Sequence, residues 1–453
     1  MDAGTQMVVA LIIGIIVLIF LILKTKVHAF LGLIIAACLI GLLGGMSADA
    51  IPASIIKGFG GTLGSIGIII GFGVMMGEIF FVTGAAEKMA LVFIKLFGRK
   101  HEHWAMALTG FIVSIPIFCD SGFVIISPVA KAISKKTGRS IIAIAGPLAA
   151  GLVITHSLVP PTPGPLGVAG TFGIDIGQFI LLGILISIPM AIVATLYTQW
   201  LGDKIYQIPA DNGEDWIRPE KRIADDSVEI KASRELPSGF NSFFPLVAPI
   251  LLILAQNVIK ALKVTGPAAT VIGFLGAPIV AVGIGLLIAL FILGHDLSRK
   301  DALDAMERGI KSAGIIILVT GAGGALGQIL KDSGTGDYIA KQIAATPIPV
   351  IILPFIIATL VRFVQGSGTV AMITSAGICA PIVASAGGSP MLGAFAACIG
   401  SLFFSYFNDS YFWVVNNLMG FKDTKEQIRN WSLTSTVAWG VGFIELLILN
   451  FIM

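Results

Sequence analysis

The sequence predicts an all-α polytopic membrane protein made of two inverted repeats, each with five spans and one re-entrant hairpin, whose helices are broken at the bilayer midplane. Three observations lead there. Hydrophobic residues make up 56% of the 453 and charged ones 12%, against roughly 25% charged in soluble proteins, and many apolar runs approach the ~20 residues that cross a bilayer. Basic residues collect in a few connecting segments. Four apolar stretches are interrupted by polar, Gly-rich or Pro-rich runs at corresponding places in the two halves: Phe118–Val124, Thr155–Pro165, Val364–Val370 and Phe407–Trp413.

Most of the 29 basic residues lie in six segments, Lys24–Lys26, Lys88–Lys100, Lys131–Arg139, Lys204–Arg234, Arg299–Lys311 and Lys422–Arg429. The positive-inside rule puts all six in the cytoplasm. Met7–Leu23 follows an acidic leader without a small-residue cleavage site, so it reads as a retained inward span and not a signal peptide. Ala29–Gly45 then runs outward and Thr62–Val82 inward. Trp104–Ala130 has basic segments on both sides, is too short for two spans, and carries Asp120–Gly122 at its middle. A hairpin over 104–130 that enters and leaves by the cytoplasmic face satisfies all three facts. Ile141–Gly170 crosses outward and Gln178–Trp200 returns, which completes a first repeat over 1–201. The polar stretch 202–241 is a cytoplasmic linker.

The second repeat covers 242–453. Phe243–Ile259 runs outward, Ala268–Gly294 inward and Ser312–Leu330 outward. A mirror hairpin over 349–386 opens from outside with its tip at Gly366–Thr369, and Met391–Val415 and Trp431–Phe451 finish the chain. An odd number of spans per half inverts one half relative to the other. Residue identities repeat as well. Gly71, Gly73, Gly77 and Gly84 recur as Gly321, Gly323, Gly327 and Gly334, and Glu87 and Ala90 recur as Asp337 and Ala340, all at one constant offset. At the hairpins, Ser121, Gly122 and Val124 recur as Ser367, Gly368 and Val370.

Lipid cannot hydrogen-bond a freed N–H or C=O, so irregular backbone at membrane depth survives only where it is buried in protein or lines a polar cavity. Mirrored discontinuities of this kind point to a midplane substrate site. Helices restart after each break, and up to four N-termini converge with free N–H groups and partial positive charge, which suits a carboxylate. The candidate substrate contacts are Ser121, Gly122, Thr155, Pro161, Thr162, Ser367, Gly368, Thr369, Asn408 and Ser410, whose hydroxyl and amide groups suit a polyhydroxylated or amino-bearing chain. No Lys/Arg cluster is available for a phosphorylated or multiply anionic ligand. Asp120, His156 and Asp409 are the candidate proton-coupling groups, because an ionisable residue inside a span is a functional candidate by default. For both aspartates the structural alternative is helix N-capping. For His156 it is a hydrogen bond within the bundle.

Other motifs have plainer readings. Gly71/Gly73/Gly77 resembles a dinucleotide loop but lies within a span, without the strand and acidic residue the fingerprint needs. Close helix packing explains it. Gly334-Thr335-Gly336-Asp337 matches an intramembrane aspartyl protease motif, yet its repeat partner is Gly84-Ala85-Ala86-Glu87 and no second aspartate pairs with it. Glu78 corresponds to the neutral Gln328, and Arg362 either attracts an anion or snorkels. Cys38, Cys119, Cys379 and Cys398 have no paired spacing, so neither a disulfide framework nor a metal site is expected.

The combination of F-C-D-S-G-F-V-I-I-S-P-V-A-K-A-I-S-K-K-T-G from Phe118, V-P-P-T-P-G-P from Val159, G-S-G-T-V-A from Gly366 and F-N-D-S-Y-F-W from Phe407 resembles the gluconate permease family of proton symporters over essentially the whole chain. The resemblance implies the ion transporter superfamily fold, a homodimeric scaffold and an elevator-type movement in the bacterial inner membrane. It also implies a small anionic carboxylate as substrate and a proton as coupling ion, with no enzymatic activity, cofactor or nucleic-acid partner. A sodium-coupled carboxylate or D-serine-type carrier is the alternative, since hairpin tips rich in Ser, Thr and carbonyls also hold cations.

Overall fold

A computed structural model of the chain describes residues 3–98, 101–210, 215–219, 235–344, 349–406 and 408–452. Phe407 and residues 211–214 and 220–234 of the expected linker lie outside the described residues. Apart from one short strand pair, the described elements are helical. In the first half they are α1 (Ala3–Lys24), α2 (Ala29–Leu43), α3 (Ala50–Thr83), α4 (Ala85–Phe97), α5 (Glu102–Val113), α6 (Cys119–Thr137), α7 (Ile141–Leu158), α8 (Pro163–Phe172) and α9 (Ile176–Lys204). In the second half they are α10 (Gly239–Ala261), α11 (Pro267–Leu275), α12 (Pro278–Ile288), α13 (Arg299–Asp332), α14 (Thr335–Ala344), α15 (Ile352–Gln365), α16 (Gly368–Ser385), α17 (Pro390–Gly400), α18 (Ser410–Leu418), α19 (Thr424–Gln427) and α20 (Leu433–Ile452).

α3 and α13 are each 34 residues long and lie antiparallel against one another. Ser54 Oγ donates to Asp332 Oδ2 at 2.7 Å at one end of the pair, and Arg308 Nε meets Glu78 Oε2 at 3.4 Å at the other. Glycine makes the approach possible, since a Cβ on Gly58 would run into the Gly324 carbonyl. Each long helix then turns into a short one through a left-handed glycine, Gly84 at φ 76° and Gly334 at φ 74°. These are two of the glycines that repeat in sequence. Glu87 and Asp337 stand in the first turns of α4 and α14, and Asp337 accepts from Ser385 Oγ.

Several boundaries differ from the sequence expectation, for local reasons. The first break falls at 114–118, ahead of Asp120–Gly122, because Pro116 removes a backbone donor and restricts the residue before it. Asp120, Ser121 and Gly122 therefore occupy the first turn of α6, where a carboxylate favours the helix N-terminus. The span read over Ala268–Gly294 is bent by 66° between α11 and α12, ahead of Pro278. The basic segment Lys88–Lys100 includes much of α4, an amphipathic helix, and α14 is its counterpart. The second broken span opens after Gly400, earlier than expected, whereas the second pair turns at Gly366–Ser367 as read from sequence.

Residues 206–210 and 215–218 form a strap across one end of the bundle. Ile208–Pro209 pairs antiparallel with Trp216–Ile217. Arg218 makes a bidentate contact with Glu426 at 2.7 and 2.6 Å and donates through Nε to Gln207. Gln207 in turn donates to the Met419 carbonyl. The Glu426 carboxylate holds the Arg218 guanidinium above its usual pKa.

Candidate functional site

The breaks meet around a cavity of about 310 Å³ in the middle of the bundle. Three helix N-termini reach it. α6 brings Asp120 in its first turn. α16 starts at Ser367, whose hydroxyl accepts from Val370 N, and presents Gly368 and Thr369. α18 starts at Asp409, whose Oδ1 accepts from Tyr411 N at 3.1 Å, and presents Ser410. The fourth expected N-terminus, that of α8, does not line the cavity, and Pro163 and Pro165 leave two of its first three positions without a backbone N–H. The Thr162 hydroxyl donates to the carbonyls of His156 at 3.0 Å and Val159 at 2.8 Å, which closes the turn after α7.

Of the thirteen residues proposed from sequence, Asp120, His156, Ser367, Gly368, Thr369, Asn408, Asp409 and Ser410 line this cavity. Ser121, Gly122, Thr155, Pro161 and Thr162 do not. Gly122 packs under Leu152, and a Cβ there would meet Leu152 Cδ2 at 2.7 Å. Pro161, joined to Pro160 by a cis bond, lies against Gly73 of α3. Thr155 is fully buried, one residue before the histidine that does reach the cavity.

Arg362, for which the sequence leaves anion attraction and snorkelling both open, adds a further feature. It sits in the last turn of α15 and is 5% exposed. Its Nη2 donates to Asp409 Oδ2 at 2.5 Å and its Nη1 to the carbonyl of Gly366, which is left-handed at φ 86°. Ser405 Oγ also donates to Asp409 Oδ2, and Trp431 Nε1 donates to Ser405 Oγ at 2.8 Å from a π-helical turn over Ile428–Ser432. Asp409 is thus bound by a guanidinium, a hydroxyl and a backbone N–H. Asn408 fastens the same loop to the α15 end, donating to the Phe363 carbonyl at 3.1 Å. The available signal was an arginine inside an apolar arm, since an intramembrane charge needs a partner.

Asp120 is held far more loosely. Ser410 Oγ donates to its Oδ1 at 3.3 Å and the Cys119 thiol lies 3.8 Å from Oδ2. Among the described residues no basic side chain pairs with it. His156 lines the same cavity from the end of α7, 9% exposed and packed on Phe118 with ring centroids 5.6 Å apart.

Interrupted apolar helices around a small charged cavity are the arrangement expected of a membrane transporter. The model of the GntP family permeases matches residues 6–452, and the chain belongs to that family. It is 51% identical, over 98% of its length and 92% of the relative's, to an uncharacterized permease of Haemophilus influenzae. It is 35% identical to the high-affinity gluconate transporter of Escherichia coli, over 97% of this chain and 98% of that one. Among solved structures, the YdaH transporter of Alcanivorax borkumensis shares the fold with a TM-score of 0.63 at 16% identity, covering 89% of this chain and 90% of that one. The protein is a multi-pass permease of the bacterial inner membrane and not an enzyme.

Proposed function

We propose that this permease imports a small organic monocarboxylate, gluconate or a related sugar acid or hydroxy acid, by proton symport. The charge balance of the central cavity carries the reading. Asp120, Asp409 and Arg362 leave it one net negative charge. A monoanionic substrate adds a second in surroundings where unpaired charge is costly. One proton on Asp120 returns the site to the charge it has when empty, removes the repulsion, and turns the carboxylate into a donor. Binding of anion and proton are then coupled, and by linkage each raises the other's affinity. Asp409 is committed to Arg362, Ser405 and Tyr411, so Asp120 is the group free to take the proton.

The substrate carboxylate is received by Arg362 and the first turns of α16 and α18, and Ser367, Thr369, Asn408 and Ser410 bond the hydroxyls of its chain. The gluconate transporter among the relatives supports that substrate class. We read α5–α6 and α15–α16 as re-entrant hairpins of two inverted repeats, supported by the matched 34-residue helices and their left-handed glycines. In this reading the hairpins and broken spans move as a core against a homodimeric scaffold that includes α2, α11 and α12.

Asp120→Asn tests the reading, because an amide mimics the protonated acid. The variant should still bind gluconate, with weakened pH dependence, and exchange it across the membrane without concentrating it. Full proton-driven accumulation by this variant would remove Asp120 from the coupling role.

A further inference from the structure

We infer that His156 is a neutral hydrogen-bond donor that reads a hydroxyl of the substrate, and not a carrier of the transported proton. The inference rests on the sugar-acid reading above and adds to it a residue that sets specificity. The observation is a buried polar atom without a partner. His156 Nδ1 has no hydrogen bond and no contact with solvent, although the residue lines the central cavity. Such groups are rare and need an explanation.

A ring nitrogen sealed in this way is best left without its hydrogen, since a buried N–H with no acceptor loses its hydration for nothing. The neutral ring then carries its proton on Nε2, the nitrogen left to meet a ligand. Protonating the ring would bury both a charge and a second N–H at Nδ1. The cavity's charged groups, Asp120, Asp409 and Arg362, come from α6, the loop before α18 and α15, and none forms an ion pair with His156. Phe118 covers the ring, and the Thr162 hydroxyl fixes the backbone carbonyl of the same residue. The histidine is therefore placed by packing, with no hydrogen bond at Nδ1, and its ring borders the cavity where a ligand would sit. The carboxylate-binding groups sit on α15, α16 and α18, so His156, on α7, faces the rest of the chain.

The test compares gluconate with its singly deoxygenated analogues by competition binding to the full-length protein. In the wild type, one deoxy analogue should bind about tenfold more weakly than gluconate, the equivalent of ~1.4 kcal/mol. His156→Gln places an amide N–H near the position of Nε2 and should keep that discrimination and, even at reduced affinity, the wild-type pH profile of proton-driven accumulation. His156→Phe should erase the discrimination while keeping the ring packing. A discrimination that survives in His156→Phe, or a His156→Gln protein that binds but cannot accumulate, would overturn this inference alone. A wild type that binds no sugar acid would overturn it together with the substrate reading.

Discussion

The two helix pairs that reach the cavity are built alike and charged oppositely. α5–α6 delivers a carboxylate, Asp120, that has two weak local partners. α15–α16 delivers a guanidinium, Arg362, already locked to Asp409. The two pairs therefore bring opposite charges to one cavity, which in the proposed reading serve the proton and the anion respectively. The same asymmetry appears in the backbone. The second turn depends on a left-handed glycine at Gly366, while the first contains no positive-φ residue between 114 and 118.

The largest expected effect comes from breaking the locked side. Arg362→Gln leaves Asp409 buried at 8% exposure without its cation, a change that typically costs about 3–5 kcal/mol. Thermal unfolding in detergent should fall sharply. The double variant Arg362→Gln/Asp409→Asn should recover most of that stability yet remain unable to bind gluconate. Recovery of binding in the double variant would show that Arg362 is structural only.

A smaller effect separates the two turns. Gly366→Ala forces an L-residue into the left-handed region, at about 1–2 kcal/mol, and its Cβ would strike the Asn408 backbone. Gly122→Ala meets only the flexible end of Leu152 and keeps ordinary helical backbone. Comparing the two melting temperatures tests whether the second tip is the conformationally demanding one. Equal losses would mean that it is not.

The smallest effect concerns the outer end of the first pair, where Lys131 of α6 lies 5.3 Å over the Trp216 ring of the strap. Arg218 is 49% exposed in its pair with Glu426, so Arg218→Gln should cost at most ~1 kcal/mol and leave gluconate affinity unchanged. A measurable loss of binding would tie the strap to the cavity.

Much of this site is legible in the sequence because polar and glycine-rich runs stand out against apolar ones. Ser367–Thr369 and Asn408–Ser410 are found that way. What is not legible is which face a break turns inward. Thr162 spends its hydroxyl on its own chain, and Ser121 turns away from the cavity on the same helical turn that directs Asp120 into it. Arg362 shows a second limit. Near the end of an apolar arm it reads equally as an anion-attracting or a snorkelling side chain, and only the tertiary pairing with Asp409, across the turn and the next two helices, shows that it faces the cavity. The break before α6 lies ahead of the Asp-Ser-Gly run for a simpler reason, since Pro116 is a stronger interruption than that run.

The central claim is that the cavity carries the same net charge empty and loaded, because one proton enters with each monoanion. Proteoliposomes holding the wild-type protein test it by following gluconate uptake and proton flux together under an imposed membrane potential or an imposed pH gradient. The account predicts one proton per gluconate, accumulation driven by the pH gradient, and none driven by the potential alone. Accumulation driven by the potential at equal pH, or by a sodium gradient, would contradict it.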